Sequence, residues 1–254
     1  MADVFVDTDE RLDSLVGTDF KLVQKIDGTA FAIDTLLLAN FAALSGQVVR
    51  VADLGSGSGV LSFFLKFRKP STEVIGFEVI DELHSLAQRN CQLNPQVKGL
   101  SFECLDIREI PSRCLPESFD LVVTNPPYYP RGSGKIPPNP ARAAARHEMT
   151  GTLRDFIEAG AYLLPYGAKL DMILPANRVY EALAIFKELQ LGLRRLRFIH
   201  PKEGQPAHLG LMEAERFYNG VHEPIAPLTI HLANGRLADE VDEIVRIGLK
   251  KVKS

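Results

Sequence analysis

Apolar positions along this chain follow two rhythms, one helical and one of short strands. Residues 31–44 are rich in Leu and Ala and predict a buried helix, with Asp34 placed to cap its start. After it, β-rich apolar runs at Val48–Leu54, Glu73–Ile80, Leu100–Leu105, Asp120–Thr124 and Ala168–Leu174 predict strands. Between them, Leu61–Arg68, Asp81–Leu93, Thr152–Leu164 and Val179–Leu189 carry helical periodicity. Strands alternating with helices imply βαβ units and a parallel, doubly wound α/β sheet. Leu193–Ile199 and Leu209–Arg216 have no helix between them and predict an antiparallel edge hairpin, seven strands in all; Ala238–Lys250 predicts a last helix. The expected organisation is an N-terminal extension and helix over residues 1–45, packed on a single catalytic domain over residues 46–254.

Composition narrows this picture only slightly. The 254 residues are 46% hydrophobic and 24% charged, with a net charge of −3, so a uniformly basic nucleic-acid coat is excluded while a local basic patch is not. No apolar run reaches membrane-spanning length, and the acidic start lacks a signal pattern. Cys91, Cys104 and Cys114 read as reduced thiols with no metal spacing. These features predict a cytoplasmic protein with no membrane and no metal partner, acting as a monomer or weak homodimer.

Three features sit in order at the ends of successive strands. Asp53-Leu54-Gly55-Ser56-Gly57-Ser58-Gly59 follows the first strand and opens a helix. A dinucleotide fingerprint needs glycine at position 60, where this chain has Val60; the spacing D-x-G-x-G-x-G is instead that of S-adenosylmethionine sites. Glu78 ends the second strand, where an acid can accept both ribose hydroxyls. Asp106, followed by Ile107, comes after the third, where a carboxylate can accept from the adenine amino group.

A fourth strand ends in Asn125-Pro126-Pro127-Tyr128. An exocyclic amino group on a base, or a glutamine amide, is a poor nucleophile because its lone pair is delocalised. The Asn125 side-chain oxygen and the Pro126 carbonyl can accept its two N–H bonds. Those bonds aim the lone pair at a sulfonium methyl and stabilise the positive charge growing on nitrogen. Asn125 is thus expected to border the cofactor as well. The prolines stiffen the turn, and Tyr128 offers a face for a flat base.

This order of motifs resembles the class I amino-methyltransferases. The segment Phe31-Ala32-Ile33-Asp34-Thr35-Leu36-Leu37-Leu38-Ala39, the run Asn125–Pro130 followed by Gly132-Ser133-Gly134-Lys135, and Ala145-Arg146-His147-Glu148 are similar, more narrowly, to the bacterial tRNA1(Val) adenine-N6-methyltransferases. The resemblance covers roughly residues 15–220. It implies S-adenosyl-L-methionine as cofactor, tRNA as substrate, the base next to the anticodon as target, and Asp34 and Thr35 beside the cofactor's methionine end.

Residues 129–150 are aperiodic and proline-rich, as a functional or disordered loop would be. Arg131, Lys135, Arg142 and Arg146 lie without an acid among them over residues 131–146, and with Tyr129 they are the expected RNA contacts. Arg194, Arg195, Arg197, His200 and Lys202 form a second basic stretch, equally consistent with a charged strand edge. Other acceptors remain open: a release-factor glutamine N5 amide, an rRNA guanine N2 or a DNA adenine N6. Fewer than 35 residues before the first helix argue against the release-factor reading, whose enzymes carry a helical recognition domain there.

Overall fold

The structure is a computed structural model that describes residues 7–15, 20–26, 33–128, 151–246 and 249–251. Two short strands come first, β1 (Glu10–Leu15) and β2 (Lys21–Lys25), and then α1 (Ile33–Phe41). The alternating body follows as β3 (Arg50–Leu54), α2 (Val60–Arg68), β4 (Glu73–Glu78), α3 (Asp81–Leu93), β5 (Leu100–Cys104), the one-turn α4 (Ile110–Arg113) and β6 (Leu121–Thr124). It continues with α5 (Leu153–Leu163), β7 (Lys169–Pro175) and α6 (Val179–Glu188). The hairpin β8 (Leu191–Lys202) and β9 (Leu209–Arg216) precedes β10 (Glu223–Pro224), β11 (Leu228–His231), α7 (Asp239–Arg246) and β12 (Leu249–Lys251).

The main sheet runs β10-β8-β9-β7-β6-β3-β4-β5, with β11 also lying along β8. Pairing is parallel from β5 to β7, and β9 is antiparallel to both β7 and β8. The seven strands expected from sequence are present; β10 and β11, both parallel to β8, raise the sheet to nine. Alternate strand residues face two separate cores. Leu121 and Val123 join a cluster with α1 and α2, while Val122 joins one with α5 and α6. The order reverses at β3, whose neighbours β4 and β6 leave in opposite directions, and the carboxyl ends there form the crevice where α/β sheets bind ligands.

A second sheet, β12-β1-β2, joins strands from both ends of the chain. The predicted last helix is therefore corrected: it stops at Arg246, and β12 pairs with β1. The side chains of this sheet are unusual, because Glu10, Asp13 and Gln24 are buried in it. Arg89 grips the Glu10 carboxylate with both guanidinium nitrogens at 2.9 and 3.0 Å, and Gln24 donates to Asp13 at 2.6 Å. The sheet is stitched to α3 by two buried asparagines acting as a substitute strand. Asn90 accepts from Val23 N and donates to Val23 O, and Asn94 does the same with Lys21.

Helix α1 lies against β7 on the other side. Asp171 and Glu213 face each other across the β7–β9 register, both buried. Asp171 Oδ2 accepts from Ala43 N at 2.7 Å, while its Oδ1 is buried without a partner among the described residues. Burial, with the nearby Glu213 charge, pushes the Asp171 carboxyl up to about 7 from 3.8. The folded state thus binds a proton that the unfolded chain has released, so this group's contribution is full below the unfolded value and is lost as pH rises through about 7. Asp171→Asn, which keeps an acceptor for Ala43 N, is expected to make the fall in melting temperature between about pH 4 and pH 8 shallower. An unchanged slope in melting curves across that range would count against this assignment.

Candidate functional site

Two turns meet at the switch point. The first follows β3. Gly55 N and Ser56 N both donate to Phe77 O, at 2.9 and 3.0 Å, so the turn is laid across the end of β4. That approach needs Gly76, where a Cβ would lie 2.8 Å from the Ser56 side chain. At Gly59, φ is +88° and a Cβ would meet the Phe102 ring at 2.5 Å, so both conformation and space require glycine. Phe156 of α5 closes the other side, 3.1 Å from where a Gly55 Cβ would be. Asn90 reaches this turn as well, donating to Ser58 O at 3.0 Å.

The acids divide by what they touch. Asp53 is fully buried and accepts from the Ser62 hydroxyl at 2.6 Å, which ties the strand to the first turn of α2. Burial, reinforced by the Glu78 charge, pushes its carboxyl up to about 7. Glu78 is 6% exposed and braces the glycine turn: Oε2 accepts from Gly57 N at 2.8 Å and Oε1 from Ile80 N at 2.9 Å. Burial raises its pKa against the opposing pull of those backbone donors. A carboxylate has about four acceptor positions, so two remain for a ligand. Asp106 caps the short turn Ile107–Glu109 and is held by Arg108, through the backbone N–H at 2.9 Å and the guanidinium Nε at 2.8 Å. That guanidinium holds the Asp106 carboxyl below the usual carboxylate range. Ile107 is buried beside it.

The second turn follows β6. Thr124 donates to Leu54 O at 2.9 Å, bolting the end of β6 to the end of β3. Asn125 comes next, and its Oδ1 is buried with no hydrogen-bond partner among the described residues, as is Ser56 Oγ in the first turn. A buried polar atom without a partner costs about 1–3 kcal/mol, and these two lie on the two turns that meet at the switch point. Pro126 and Pro127 are buried. Tyr128 is half-buried, packs against the α1–α2 cluster and donates its hydroxyl to Asp34 Oδ2 at 2.7 Å. Asp34 lies in the first turn of α1 rather than at its cap, with Thr35 next to it, both partly exposed. Sequence reasoning missed Arg178, which closes the short turn Ala176–Arg178 after β7. It is 8% exposed, is clamped by Glu181 at 2.8 and 2.9 Å, and approaches Pro127 O at 3.5 Å. Its only sequence signal is its position one strand beyond the second turn.

The expected RNA contacts Tyr129, Arg131, Lys135, Arg142 and Arg146 lie outside the described residues. The three arginines of the second basic stretch are already paired with acids. Arg194 pairs with Glu215 at 3.4 Å, Arg195 donates to Glu213 at 2.8 Å, and Arg197 grips Glu240 at 2.5 and 2.7 Å.

The sequence matches the methyltransferase small domain family over residues 27–194, a span that contains both turns and Asp34, Asp53, Glu78 and Asp106. The chain belongs to this family. Among relatives of known name, the tRNA1(Val) (adenine(37)-N6)-methyltransferase of Aeromonas hydrophila is 29% identical over 206 residues, covering 81% of this chain and 84% of that protein. The protein of the same name from Vibrio cholerae is 26% identical over 195 residues, covering 76% and 78%. The fold is that of a predicted O-methyltransferase, protein Atu636 of Agrobacterium tumefaciens, with a TM-score of 0.69 at 23% identity over 84% of this chain and 96% of that one. A T. thermophilus 16S rRNA N2 G1207 methyltransferase, solved with AdoMet and guanosine, gives a TM-score of 0.57 at 19% identity, covering 83% of this chain and 51% of that one. No helix among the described residues is long and apolar enough to cross a membrane.

Proposed function

We propose that this chain uses S-adenosyl-L-methionine to methylate the exocyclic N6 amino group of adenine in a tRNA anticodon loop. The observation that carries the reading is Asn125 Oδ1, a buried acceptor without a partner among the described residues, on a proline-stiffened turn beside the glycine turn. An amino group with two N–H donors satisfies it, with the Pro126 carbonyl as second acceptor. Both acceptors bind more strongly as positive charge grows on the nitrogen, so they favour the transition state over the bound base. Tyr128 presents its ring to that base. The proton needs no dedicated base at the outset, since it becomes acidic once nitrogen carries the methyl.

The residues present fit the cofactor. Gly55, Ser56, Gly57 and Gly59 would face its methionine and ribose, and the two free acceptor positions of Glu78 suit a ribose diol. Asp106 and Ile107 would hold the adenine ring, and Asp34 and Thr35 would border the methionine end. Asp53 supports the turn from behind through Ser62. When bound, S-adenosyl-L-methionine supplies the electrophilic methyl. Residues 1–45 would serve as a cover on this site, with residues 46–254 as the methyltransferase domain, acting in the cytoplasm as a monomer or weak homodimer without a metal.

The choice of tRNA is supported by the names of the relatives and by the cations of residues 131–146. Neutralising Arg142 and Arg146 together is expected to weaken tRNA binding and to lower the slope of log affinity against log salt by roughly 1.5, since each lost phosphate contact removes ~0.7–0.9. Arg197→Ala, which removes a cation already paired with Glu240, leaves that slope unchanged. Equal slopes for all three proteins would remove the loop from the RNA interface. The reading itself is tested with an unmodified tRNA-Val transcript and one whose adenine beside the anticodon is replaced by guanine. Methyl transfer to the first alone is expected; equal transfer to both would overturn the assigned target.

A further inference from the structure

The hydrogen bond from Tyr128 to Asp34 joins the second turn to a helix 94 residues away in sequence. Its 2.7 Å length is that of a well-formed O–H···O bond. The helix that carries Asp34 is a rigid post. Leu36, Leu37, Leu38 and Ala39 are buried, and its far end is fastened three ways. Arg68 donates to Ala39 O and Ala42 O, Arg195 donates to Phe41 O at 2.9 Å, and Ala43 N donates to buried Asp171. Cations on the last carbonyls also complement the helix dipole. The Tyr128 ring packs against the same core cluster as α1. A tyrosine turns about two side-chain bonds, and packing alone restrains them less than packing plus a fixed hydroxyl partner.

We propose that Asp34 is a positioning residue for the transfer: through the Tyr128 hydroxyl it fixes the plane of the ring on which the substrate's flat base rests. This rests on the proposed function, because base stacking belongs to it. It also separates Asp34 from a purely cofactor-binding role. A positioning residue acts on the rate and through Tyr128, whereas a cofactor ligand acts on cofactor affinity and independently of Tyr128.

The test is a double-mutant cycle on full-length protein, with rates expressed per folded enzyme from melting curves. Asp34→Ala and Tyr128→Phe are each expected to lower kcat about tenfold or more, as small misplacements of a reacting group do. KM for the tRNA stays within about twofold, and in Asp34→Ala, which also loses a group bordering the methionine end, Kd for S-adenosyl-L-methionine weakens far less than kcat falls. The double variant is no slower than the slower single, because both changes break one bond. Asp34→Asn keeps an acceptor oxygen and restores most of kcat. Losses that multiply in the double variant, or a cofactor Kd that weakens in step with kcat in Asp34→Ala, would overturn the proposal. Should wild-type protein label an acceptor other than tRNA, the tRNA reading fails, and the same cycle run on that acceptor still decides the coupling.

Discussion

Asn125→Ala is expected to abolish nearly all turnover while leaving cofactor affinity and the fold intact. Removing one preorganised hydrogen-bonding group from a reaction centre lowers kcat by about 10²–10³-fold. Cofactor affinity rests on the first turn and on Glu78, so Kd for S-adenosyl-L-methionine should change by no more than about threefold. Stability gives the sharper signature. The buried Oδ1 has no partner among the described residues, so deleting it removes a desolvated group rather than a bond. The melting temperature should therefore hold or rise slightly. A fall of several degrees would mean that Asn125 has a structural partner, and near-normal turnover would end its assigned role.

Glu78→Ala acts on the other half of the site and should do the opposite. The side chain holds Gly57 N and Ile80 N, and its loss strands two backbone donors at the end of β4. At about 1–3 kcal/mol for each unsatisfied donor, the variant should melt several degrees lower. It also loses the acceptors for the ribose diol, whose charge-assisted bonds contribute ~1.5–3 kcal/mol each. Cofactor Kd should weaken by about 10²-fold or more, read by titration calorimetry. Glu78→Gln, which keeps one acceptor but turns an amide towards donors, should fall between the two. A Kd within about threefold of wild type in the alanine variant would remove Glu78 from the cofactor site.

The layout behind these expectations was largely written in local patterns. Parallel strands buried on both faces appear as continuous apolar runs, so β3, β6 and β7 are legible, as are the helices between them. The glycine turn is legible because Gly55, Gly57 and Gly59 all take positive φ, which few other residues tolerate. What sequence concealed is carried by polar groups that find partners far away. β1 and β2 bury Glu10, Asp13 and Gln24, so they show no apolar alternation, and their partners Arg89, Asn90 and Asn94 look like an ordinary polar helix face. Arg195 and Arg197 read as a basic strand because Glu213 and Glu240 come from other elements. The same holds at the site: nothing local to Asp34 reveals that its partner is Tyr128.

The account stands or falls on the atom that receives the methyl group. Full-length protein incubated with labelled S-adenosyl-L-methionine and separate pools of tRNA, rRNA, DNA and protein, followed by digestion to nucleosides, identifies it. Label in tRNA recovered as N6-methyladenosine, and lost with Asn125→Ala, is the predicted result. Label recovered as N2-methylguanosine, or in DNA or protein with none in tRNA, would contradict it.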